Sequence, residues 1–289
     1  MRTTLLINPV SGRRKAVGIG AVAAELLIEA GHQVQTIIGS DAQDANAQLM
    51  AAIEHGLDNV VVVGGDGGTH GVLGQIAHTD ITFGLIPAGT GNDVARALGL
   101  PLRDIQAAVG VIARGRTKHI DLARAGDSYV STVVASGFDS KVSERANAMK
   151  WPRGNIRYNI AMVAELRVFT PLPFAIELDG KTLDTDAMLV AVGNGPSFGG
   201  GMRICEGAQL GDGLLDITII KPISKLELIK VFPKVYKGTH VNHPAVVQHR
   251  GRRVVLSSPG IIAYGDGERL GPLPLNIEAD PLALRVFVP

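Results

Sequence analysis

The pattern of apolar and polar positions divides the chain into two parts. Between residue 3 and about residue 115, short β-branched runs that end in glycine or proline alternate with amphipathic stretches rich in alanine and leucine. This alternation is typical of a parallel sheet covered by helices. It predicts strands at residues 3–8, 33–38, 58–64 and 82–86, and helices near residues 15–30, 41–55, 69–78, 91–99 and 102–114. The run Val60–Val63 is apolar at every position, which suits a central strand buried on both faces.

After Thr117 the pattern changes to consecutive alternating runs that are separated by turn residues. Residues 129–134, 174–178 and 253–256 are such runs, and their period of two predicts antiparallel strands. Two segments, near residues 155–168 and 224–237, interrupt the strands as helical insertions. We therefore predict an α/β domain with a parallel sheet at residues 1–124 and a β-rich sandwich domain at residues 125–289. The last strand of the second domain is free to return to the first.

Composition and charge limit the function classes. The net charge of +1, from 28 basic and 27 acidic side chains, gives no general attraction for nucleic acid, so we expect no such partner. The single cysteine, Cys205, excludes an internal disulfide and fits a reducing compartment. No apolar stretch approaches the roughly 20 residues of a membrane-spanning helix, and the first apolar run is too short for a secretory signal. We expect a cytoplasmic protein whose membrane contacts are peripheral, at the inner face of the membrane.

Three loops rich in glycine and polar residues follow strands of the predicted parallel sheet: Asn8–Lys15, Gly64–Gly68 and Pro87–Asp93. Ligands of such sheets bind at the carboxyl ends of the strands. Glycine lets backbone N–H groups approach phosphate oxygens, and the start of a helix adds favourable partial charge. The sequence therefore predicts a phosphate site at this edge, although one glycine loop alone would also suit a structural turn. Neither the P-loop pattern nor the dinucleotide-binding pattern occurs, which argues against both of those families.

The second part of the chain contains two acidic motifs. Asp266-Gly267-Glu268 places two carboxylates one residue apart, where they could deprotonate an attacking hydroxyl, although an Asp-Gly hairpin turn is an equally good interpretation. Residues 209–214 contain Asp212 between glycines and are similar to an oxygen-ligand loop. One carboxylate with nearby main-chain carbonyls could hold Mg²⁺ there.

Taken together, these motifs resemble the diacylglycerol kinase catalytic family, in particular its soluble bacterial lipid kinases. The resemblance spans nearly the whole chain and rests on Asn8–Gly12, Gly64–Gly67, Pro87–Arg96, Ile120–Asp121, Gly137–Asp139, Asp212–Asp216 and Asp266–Glu268, in that order. It implies a nucleotide-binding α/β domain similar to those of phosphofructokinase and NAD kinase, followed by a β-rich domain, with ATP in the cleft between them.

The resemblance also implies roles for individual residues. The nucleotide contacts that it implies are Asn8, Pro9, Val10, Ser11, Gly12, Gly65, Asp66, Gly67, Gly68, Thr69, His70, Gly71 and Thr90. It implies Glu268 as the catalytic proton acceptor, with Asp266 beside it in a charge network that Asp66, Asp93 and Asp121 complete. It implies a structural Mg²⁺ held by Asp212 and the main-chain carbonyls of Gln209 and Leu214. Arg13 stands where a basic partner is expected.

The chain departs from the family pattern at three glycines. The family usually has Thr at the position of Gly68 and often Glu at that of Gly71, and it commonly has a nucleotide-contacting Thr at that of Gly39. Two glycines in the first turn of a helix loosen it by roughly 1 kcal/mol each relative to alanine. His70 could replace a lost polar contact, although a structural histidine suits this position better.

The function that we expect is ATP- and Mg²⁺-dependent phosphorylation of a lipid hydroxyl, with Glu268 or Asp266 as the catalytic base. Diacylglycerol, which would give phosphatidic acid for phospholipid biosynthesis, is the first choice of acceptor. An NAD kinase-like enzyme and a catalytically impaired nucleotide- or lipid-binding protein are the alternatives. The oligomeric state stays open, and a homodimer is one option.

A kinase of membrane lipids without a spanning helix has to touch the bilayer surface. Basic and aromatic side chains favour such contact. Residues 141–157 contain five basic side chains and Trp151, the only tryptophan, and residues 224–237 contain four lysines as a weaker candidate. Each segment also suits an ordinary solvated surface.

Overall fold

The computed structural model of the chain describes residues 1–8, 11, 15–149, 151 and 155–289. Five of the residues singled out in the first loop, Pro9, Val10, Gly12, Arg13 and Arg14, lie outside these ranges, as do Lys150 and Arg153. The remaining predicted residues can all be compared with the structure.

The first part of the chain alternates strands and helices as predicted. Its elements are β1 (Arg2–Ile7), α1 (Ala16–Glu29), β2 (Gln33–Ile37), α2 (Ala42–Glu54), β3 (Asn59–Gly64), α3 (Asp66–Ile76), β4 (Thr82–Pro87), α4 (Asp93–Ala97) and α5 (Ile105–Ala113). Side-chain caps explain where two of the helices begin, since Asp41 accepts from Asp44 N and Asp104 accepts from Ala107 N. The start of α3 was predicted at residue 69, which is wrong by three residues. Gly65 is the extended N-cap, and the acidic Asp66 already occupies the first turn.

The second part consists mainly of strands. Its elements are β5 (Thr117–Ala125), β6 (Ser128–Val130), β7 (Val133–Gly137), α6 (Phe138–Ala148), α7 (Asn155–Val168), β8 (Leu172–Leu178), β9 (Lys181–Ala187), β10 (Leu189–Gly193), β11 (Leu215–Ile220), α8 (Lys225–Val235), β12 (Val246–Gly251), β13 (Arg253–Ser257), β14 (Ile262–Gly265), β15 (Glu268–Pro272) and β16 (Leu275–Phe287). A 3₁₀ helix at Thr239–Asn242 follows α8.

The helix α6 was not predicted, and it adds a third helix to the two expected insertions. Its buried side chains are Ser140, Val142 and Ala146. They are too few and too small to produce an apolar stripe in the sequence. The helices α7 and α8 lie where the sequence placed them, at 155–168 and within 224–237. None of the helices in the described ranges is long and apolar enough to cross a membrane.

Two sheets organise the fold. In the first, β1, β2, β3 and β4 are parallel to their neighbours, and the order continues from β4 through β16, β13 and β8 to β9. The second sheet has the order β12-β11-β10-β7-β14-β15 and is antiparallel throughout. Phe174, Ile176 and Leu256 of the first sheet share a buried core with Val192 and Ile217 of the second. The expected β-rich sandwich is therefore present, with an α/β part beside it.

The strand β16 connects the two parts of the first sheet. Its beginning pairs antiparallel with β13, and its end, at Arg285 and Val286, pairs parallel with β4. Along its other edge β16 pairs with β5, with an irregularity between Asp280 and Leu284. One continuous strand thus fixes the position of the sandwich relative to the α/β part.

The buried carboxylate of Asp121 holds three segments together at this junction. Asp121 lies on β5, and its two oxygens accept hydrogen bonds from Gly213 N at 2.7 Å and Leu282 N at 2.8 Å. Leu282 has a φ of +57°, an unfavourable backbone conformation for leucine. Asp121 therefore stabilises both the turn that contains Asp212 and the irregularity of β16.

We predict that Asp121→Ala lowers the free energy of unfolding by about 1–3 kcal/mol, because two partly buried N–H groups lose their acceptor. Urea denaturation followed by circular dichroism measures this change. The matched control is Asp127→Ala in the exposed turn after β5, which should change stability by less than about 0.5 kcal/mol. Equal stability of the two variants would contradict the role of Asp121.

Candidate active site

The loops that follow β3 and β4 are in direct backbone contact at the carboxyl edge of the sheet. Ala88 N and Gly89 N both donate to the carbonyl oxygen of Gly64, at 2.8 and 3.1 Å. A Cβ atom on Gly89 would lie 2.5 Å from Cα of Gly65, a distance that no side chain tolerates. Glycine is therefore required here, because the two loops pack backbone against backbone.

The loop after β1 joins this pair. Asn8 N donates to Val63 O at 3.2 Å, and Ser11 N donates to Asn8 O at 3.1 Å. Cβ atoms placed on Gly64 and Gly68 would lie within 3.7 to 3.8 Å of Cβ of Asn8. The structure thus brings all three glycine-containing loops to one edge, as expected from a parallel sheet.

In the third loop, the side chain of Asn92 stabilises the backbone conformation. Asn92 has a φ of +57°, and its side chain accepts from Gly89 N at 3.0 Å and donates to Gly89 O at 2.9 Å. These two bonds occupy the Asn92 amide, which therefore stabilises its own loop. Thr90, in contrast, is exposed at the tip of the loop.

Asp66 connects the second and third loops. Its Oδ1 accepts from Val94 N at 3.1 Å, and a Cβ atom on Gly91 would lie 2.7 Å from its Oδ2. Burial is the main cause that raises the pKa of Asp66 to about 6, and the negative charges of Asp93 and Asp266 raise it further. Asp66 is therefore a partly buried acid that ionises near pH 6 within a cluster of carboxylates.

Asp93 ties the α/β part to the second part of the chain. Its two oxygens accept from Gly200 N and Gly201 N, each at 2.7 Å. Gly199, Gly200 and Gly201 have φ values of +60°, +89° and +100°, which favour glycine. The run of three glycines thus forms a turn that presents two N–H groups to one buried carboxylate.

Asp266 is held by more donors than any other carboxylate of this region. Its Oδ2 accepts from the N–H and the hydroxyl of Ser131 at 2.8 and 2.9 Å. Its Oδ1 accepts from the N–H and the hydroxyl of Thr132 at 2.9 and 2.5 Å. The side chain is fully buried, and Asp266 and Gly267, with φ of +51° and +87°, form the turn between β14 and β15. The hairpin interpretation therefore describes Asp266, and both oxygens are occupied by hydrogen bonds that fix the turn.

Glu268, two residues later, is exposed. Its Oε1 lies 2.7 Å from the position that a Cβ atom on Gly67 would take. The carboxylate therefore lies directly against the first turn of α3, where any residue larger than glycine would displace it. The hairpin of the second part thus places Glu268 beside the loop of the first part that was predicted to bind phosphate.

His70 lies one turn into α3, beside the same hairpin. Its Nδ1 is 3.6 Å from Oδ2 of Asp266, an ion-pair distance rather than a hydrogen bond. Burial is the largest influence on the pKa of His70 and lowers it, but Asp266 and Glu268 outweigh burial and leave the pKa above its ordinary value. The raised pKa widens the pH range in which the His70 ring is positively charged beside the Asp266–Glu268 hairpin.

The remaining predicted residues of α3 differ in their surroundings. Thr69 is fully buried, and its hydroxyl donates to Gly65 O within the helix, at 3.4 Å. Around Gly71 no atom would meet a Cβ within 4 Å, and at Gly68 the nearest atom would be 3.4 Å away. A Cβ atom at Gly68 or Gly71 would therefore fit, whereas a Cβ on Gly39 would lie 2.6 Å from Cβ of Ala45.

The turn at Asp212 has an arginine beside it. Asp212 Oδ1 accepts from Leu214 N at 3.1 Å, while the guanidinium of Arg250 pairs with Asp212 Oδ2 and lies 3.0 Å from Asp216 Oδ1. The other oxygen of Asp216 is buried and has no hydrogen-bond partner in the described part of the chain. Burial raises the pKa of Asp216 above its ordinary value, although the positive charge of Arg250 acts in the opposite direction. The donor chemistry suits Mg²⁺, with one orphaned carboxylate oxygen next to Asp212, but within the described ranges no cage of three His, Cys, Asp or Glu side chains exists.

Several residues of the site escaped the sequence analysis. Ser131 and Thr132 lie between β6 and β7, and Gly199–Gly201 and Arg250 lie in segments for which the sequence predicted no role. The triple glycine was a visible signal of special backbone geometry. The roles of Ser131 and Thr132 had no signal, because their partner lies 135 and 134 residues away in sequence.

Comparisons with known proteins identify the family and the fold. The family described as "Diacylglycerol kinase catalytic domain" matches residues 2–125, and the family described as "YegS C-terminal NAD kinase beta sandwich-like domain" matches residues 132–288. A diacylglycerol kinase of Mycobacterium tuberculosis is 45% identical over 294 aligned positions that cover 100% of this chain and 95% of the relative. A diacylglycerol kinase of Bacillus subtilis is 29% identical and covers 94% of this chain and 91% of the relative. A crystal structure of a diacylglycerol kinase from Bacillus anthracis superposes with a TM-score of 0.78 at 23% identity, covering 100% of this chain and 97% of that one, and confirms the fold.

The raised pKa of Asp66 predicts a specific pH dependence of stability. Its pKa is about 6 in the folded protein and about 4 when unfolded, so between these values only the folded chain keeps the proton. The stability that protonated Asp66 contributes is therefore fully present below about pH 4 and is lost as the pH rises through 6. Asp66→Asn removes the effect and should exceed the wild type at pH 8 by roughly 1–3 kcal/mol in free energy of unfolding.

Urea denaturation of both proteins at acidic, near-neutral and alkaline pH measures this difference. Asp139, whose pKa burial raises to about 7, adds a slope of the same sign in both proteins and cancels in the comparison. The exposed Asp127→Asn serves as the control with the wild-type slope. Parallel curves for wild type and Asp66→Asn would contradict the assignment.

Proposed function

Because the chain belongs to the diacylglycerol kinase family, we propose that it is an ATP-dependent lipid kinase that transfers the γ-phosphate of ATP to a lipid hydroxyl. The observation that carries the proposal is the position of the Glu268 carboxylate against Gly67, at the first turn of α3. A phosphate bound by this helix start and an acceptor hydroxyl bound by Glu268 would be adjacent. Diacylglycerol is the acceptor that we propose, since the relatives bear that name.

The nucleotide would bind at the edge where the three loops meet. Backbone N–H groups at glycines of the second loop can approach phosphate oxygens, and Asn8, Ser11 and Thr90 offer polar side chains there. The close contacts at Gly65 and Gly89 leave no room for side chains between the loops. This packing explains why the site is built from glycines, and it supports ATP as the phosphate donor.

Glu268 is the residue that we propose as the base. Its carboxylate would accept the proton of the acceptor hydroxyl as that oxygen forms a bond to the γ-phosphorus. The bond between the γ-phosphorus and the bridging oxygen breaks, and ADP leaves with its electron pair. Asp266 does not compete for the proton, because four hydrogen bonds occupy its oxygens. We propose it as the positioning residue that holds the hairpin carrying Glu268.

For Mg²⁺ we propose the site expected from the resemblance, Asp212 with the main-chain carbonyls of Gln209 and Leu214. Bound Mg²⁺ supplies charge neutralisation and rigidity in sites of this kind. Arg250 already pairs with Asp212, so the guanidinium would have to move partly away from this carboxylate when the ion binds. The orphaned oxygen of Asp216 supports the proposal, because it lacks the partner that a buried carboxylate requires.

The two alternatives make different predictions for the acceptor. An NAD kinase-like enzyme would phosphorylate NAD, and the second matched family is described as NAD kinase-like in its sandwich. That description concerns a fold, whereas the full-length relatives are diacylglycerol kinases, so we favour lipid. An impaired binding protein would need no exposed carboxylate at the helix start, and Glu268 argues against it.

We predict that Glu268→Gln lowers phosphate transfer by about a thousandfold, because the amide cannot accept the hydroxyl proton. The measurement is the transfer of radiolabelled γ-phosphate from ATP to dispersed diacylglycerol. Affinity for ATP and the melting temperature should stay at wild-type values, since Glu268 is exposed. Glu29→Gln, on the exposed face of α1, is the control. Wild-type turnover by Glu268→Gln would exclude this residue as the base.

A second prediction concerns Mg²⁺ and uses stability as its readout. Millimolar MgCl₂ should raise the melting temperature of the wild type by about 2–4 °C, because an ion that binds only the folded chain stabilises it. Asp212→Asn should abolish this rise, whereas the exposed control Asp184→Asn should retain it. NaCl at equal ionic strength corrects for screening. A rise of equal size in Asp212→Asn would place the ion elsewhere.

A further inference from the structure

Exposed apolar side chains are concentrated on two neighbouring helices. Of the sixteen large apolar side chains that are exposed in the described part of the chain, half lie between residues 151 and 168 or between residues 226 and 236. Scattered exposed apolar residues are ordinary, but a concentration of this kind marks an interaction surface. Six of these eight lie on α7 and α8, and Trp151 and Tyr236 flank the two helices.

The helix α8 has two apolar stripes on opposite faces. Leu228, Val231 and Val235 are buried and form the stripe that packs on the protein. Leu226 is 73% exposed and Ile229 is 53% exposed, three residues apart on the other side of the helix. An ordinary surface helix has only the first stripe, so the second requires a separate explanation.

The helix α7 also carries exposed apolar side chains. Ile160, Val163 and Val168 are 45%, 54% and 62% exposed. The two helices are joined end to end, because the ammonium group of Lys225 donates to the carbonyl oxygen of Arg167. We call the outer apolar side chains Ile160, Val163, Val168, Leu226 and Ile229 the α7–α8 surface.

The charges around the α7–α8 surface are positive. Arg167, Lys225, Lys230 and Lys234 are all exposed. The only acidic side chains of the two helices are already paired, Glu165 with Arg145 at 2.6 Å and Glu227 with His243 at 3.1 Å. Lysine and arginine beside exposed apolar side chains are typical of helices that lie in the headgroup region of an anionic bilayer.

The helix α6 connects this surface to the proposed base. Arg145 of α6 pairs with Glu165 of α7. The same helix contacts the hairpin of Glu268, because Glu144 accepts from Tyr264 OH at 2.6 Å and from Arg269 Nε at 3.4 Å. A bilayer held at α7 and α8 would therefore be one helix away from the hairpin.

We infer that the α7–α8 surface docks on an anionic lipid bilayer, with its apolar side chains among the acyl chains and its basic side chains at the headgroups. This inference rests on the proposed function, because a lipid kinase has to reach acceptors embedded in a bilayer. It also reverses the ranking of the two membrane segments expected from sequence. In the segment 141–157, Lys141 donates to Gly260 O and Arg145 pairs with Glu165, so both charges serve packing.

Vesicle co-sedimentation of the full chain tests the inference. The vesicles are phosphatidylcholine alone and phosphatidylcholine mixed with phosphatidylglycerol. We expect Leu226→Glu/Ile229→Glu to lower partition to the mixed vesicles at least about tenfold, since two apolar anchors become charged. Lys230→Gln/Lys234→Gln should lose about five- to thirtyfold on the mixed vesicles and little on phosphatidylcholine. The matched control, Val22→Glu/Ile28→Glu, changes two similarly exposed side chains on α1 and should bind like the wild type.

Three results would overturn the inference. One is partition of Leu226→Glu/Ile229→Glu to the mixed vesicles at the wild-type level. Another is a wild-type protein that binds neither kind of vesicle. The third is a wild-type dimer in light scattering that this variant dissociates, because the α7–α8 surface would then join two copies of the chain.

Transfer to a short-chain, water-soluble diacylglycerol separates this inference from the proposed function. The Leu226→Glu/Ile229→Glu variant should keep that transfer while losing transfer to vesicle lipid. A wild type that docks through the surface but phosphorylates no lipid would refute only the proposed function. A wild type that phosphorylates both substrates with unchanged partition of the variant would refute only the docking surface.

Discussion

The burial of the Asp266 carboxylate is the constraint on which the site depends. A carboxylate removed from water is tolerated only when its oxygens are hydrogen-bonded, and here Ser131 and Thr132 supply two N–H and two hydroxyl donors. These bonds fix the turn between β14 and β15 against the segment between β6 and β7. Because Glu268 follows two residues later, the same bonds determine that its carboxylate lies at the first turn of α3. The proposed chemistry therefore depends on a residue that does not itself react.

The other buried acids of the region act in the same way. Asp121 holds the turn at Gly213 and the irregular part of β16, and Asp93 holds the turn at Gly200 and Gly201. Both join segments that are distant in sequence, so the cleft between the two parts of the chain has a fixed shape. Asp66 differs, because burial above all, with the charges of Asp93 and Asp266 in addition, raises its pKa to about 6. Perturbed acids of this kind are common where cationic or phosphate-bearing ligands bind.

The sequence predicted the parts of the structure that local patterns encode. The strands β1 to β4 and their glycine loops were visible from apolar runs and turn residues, and the meeting of three loops followed from parallel topology. The start of α3 and the helix α6 were missed, because tertiary contacts rather than apolar periodicity determine them. The role of Asp266 could not be predicted, since nothing local distinguishes a carboxylate that accepts four hydrogen bonds from one that accepts a proton. The exposed stripe of Leu226 and Ile229 needed the structure as well, because sequence alone does not show which apolar face of α8 is buried.

The central claim is that the cleft transfers the γ-phosphate of ATP to a lipid hydroxyl. The most direct measurement is mass spectrometry of a total bacterial lipid extract after incubation with the protein and ATP labelled with ¹⁸O in its γ-phosphate. The account predicts labelled phosphatidic acid, formed at the expense of diacylglycerol, as the main new species. The account would be contradicted if no lipid in the extract became labelled while NAD added to the same reaction did.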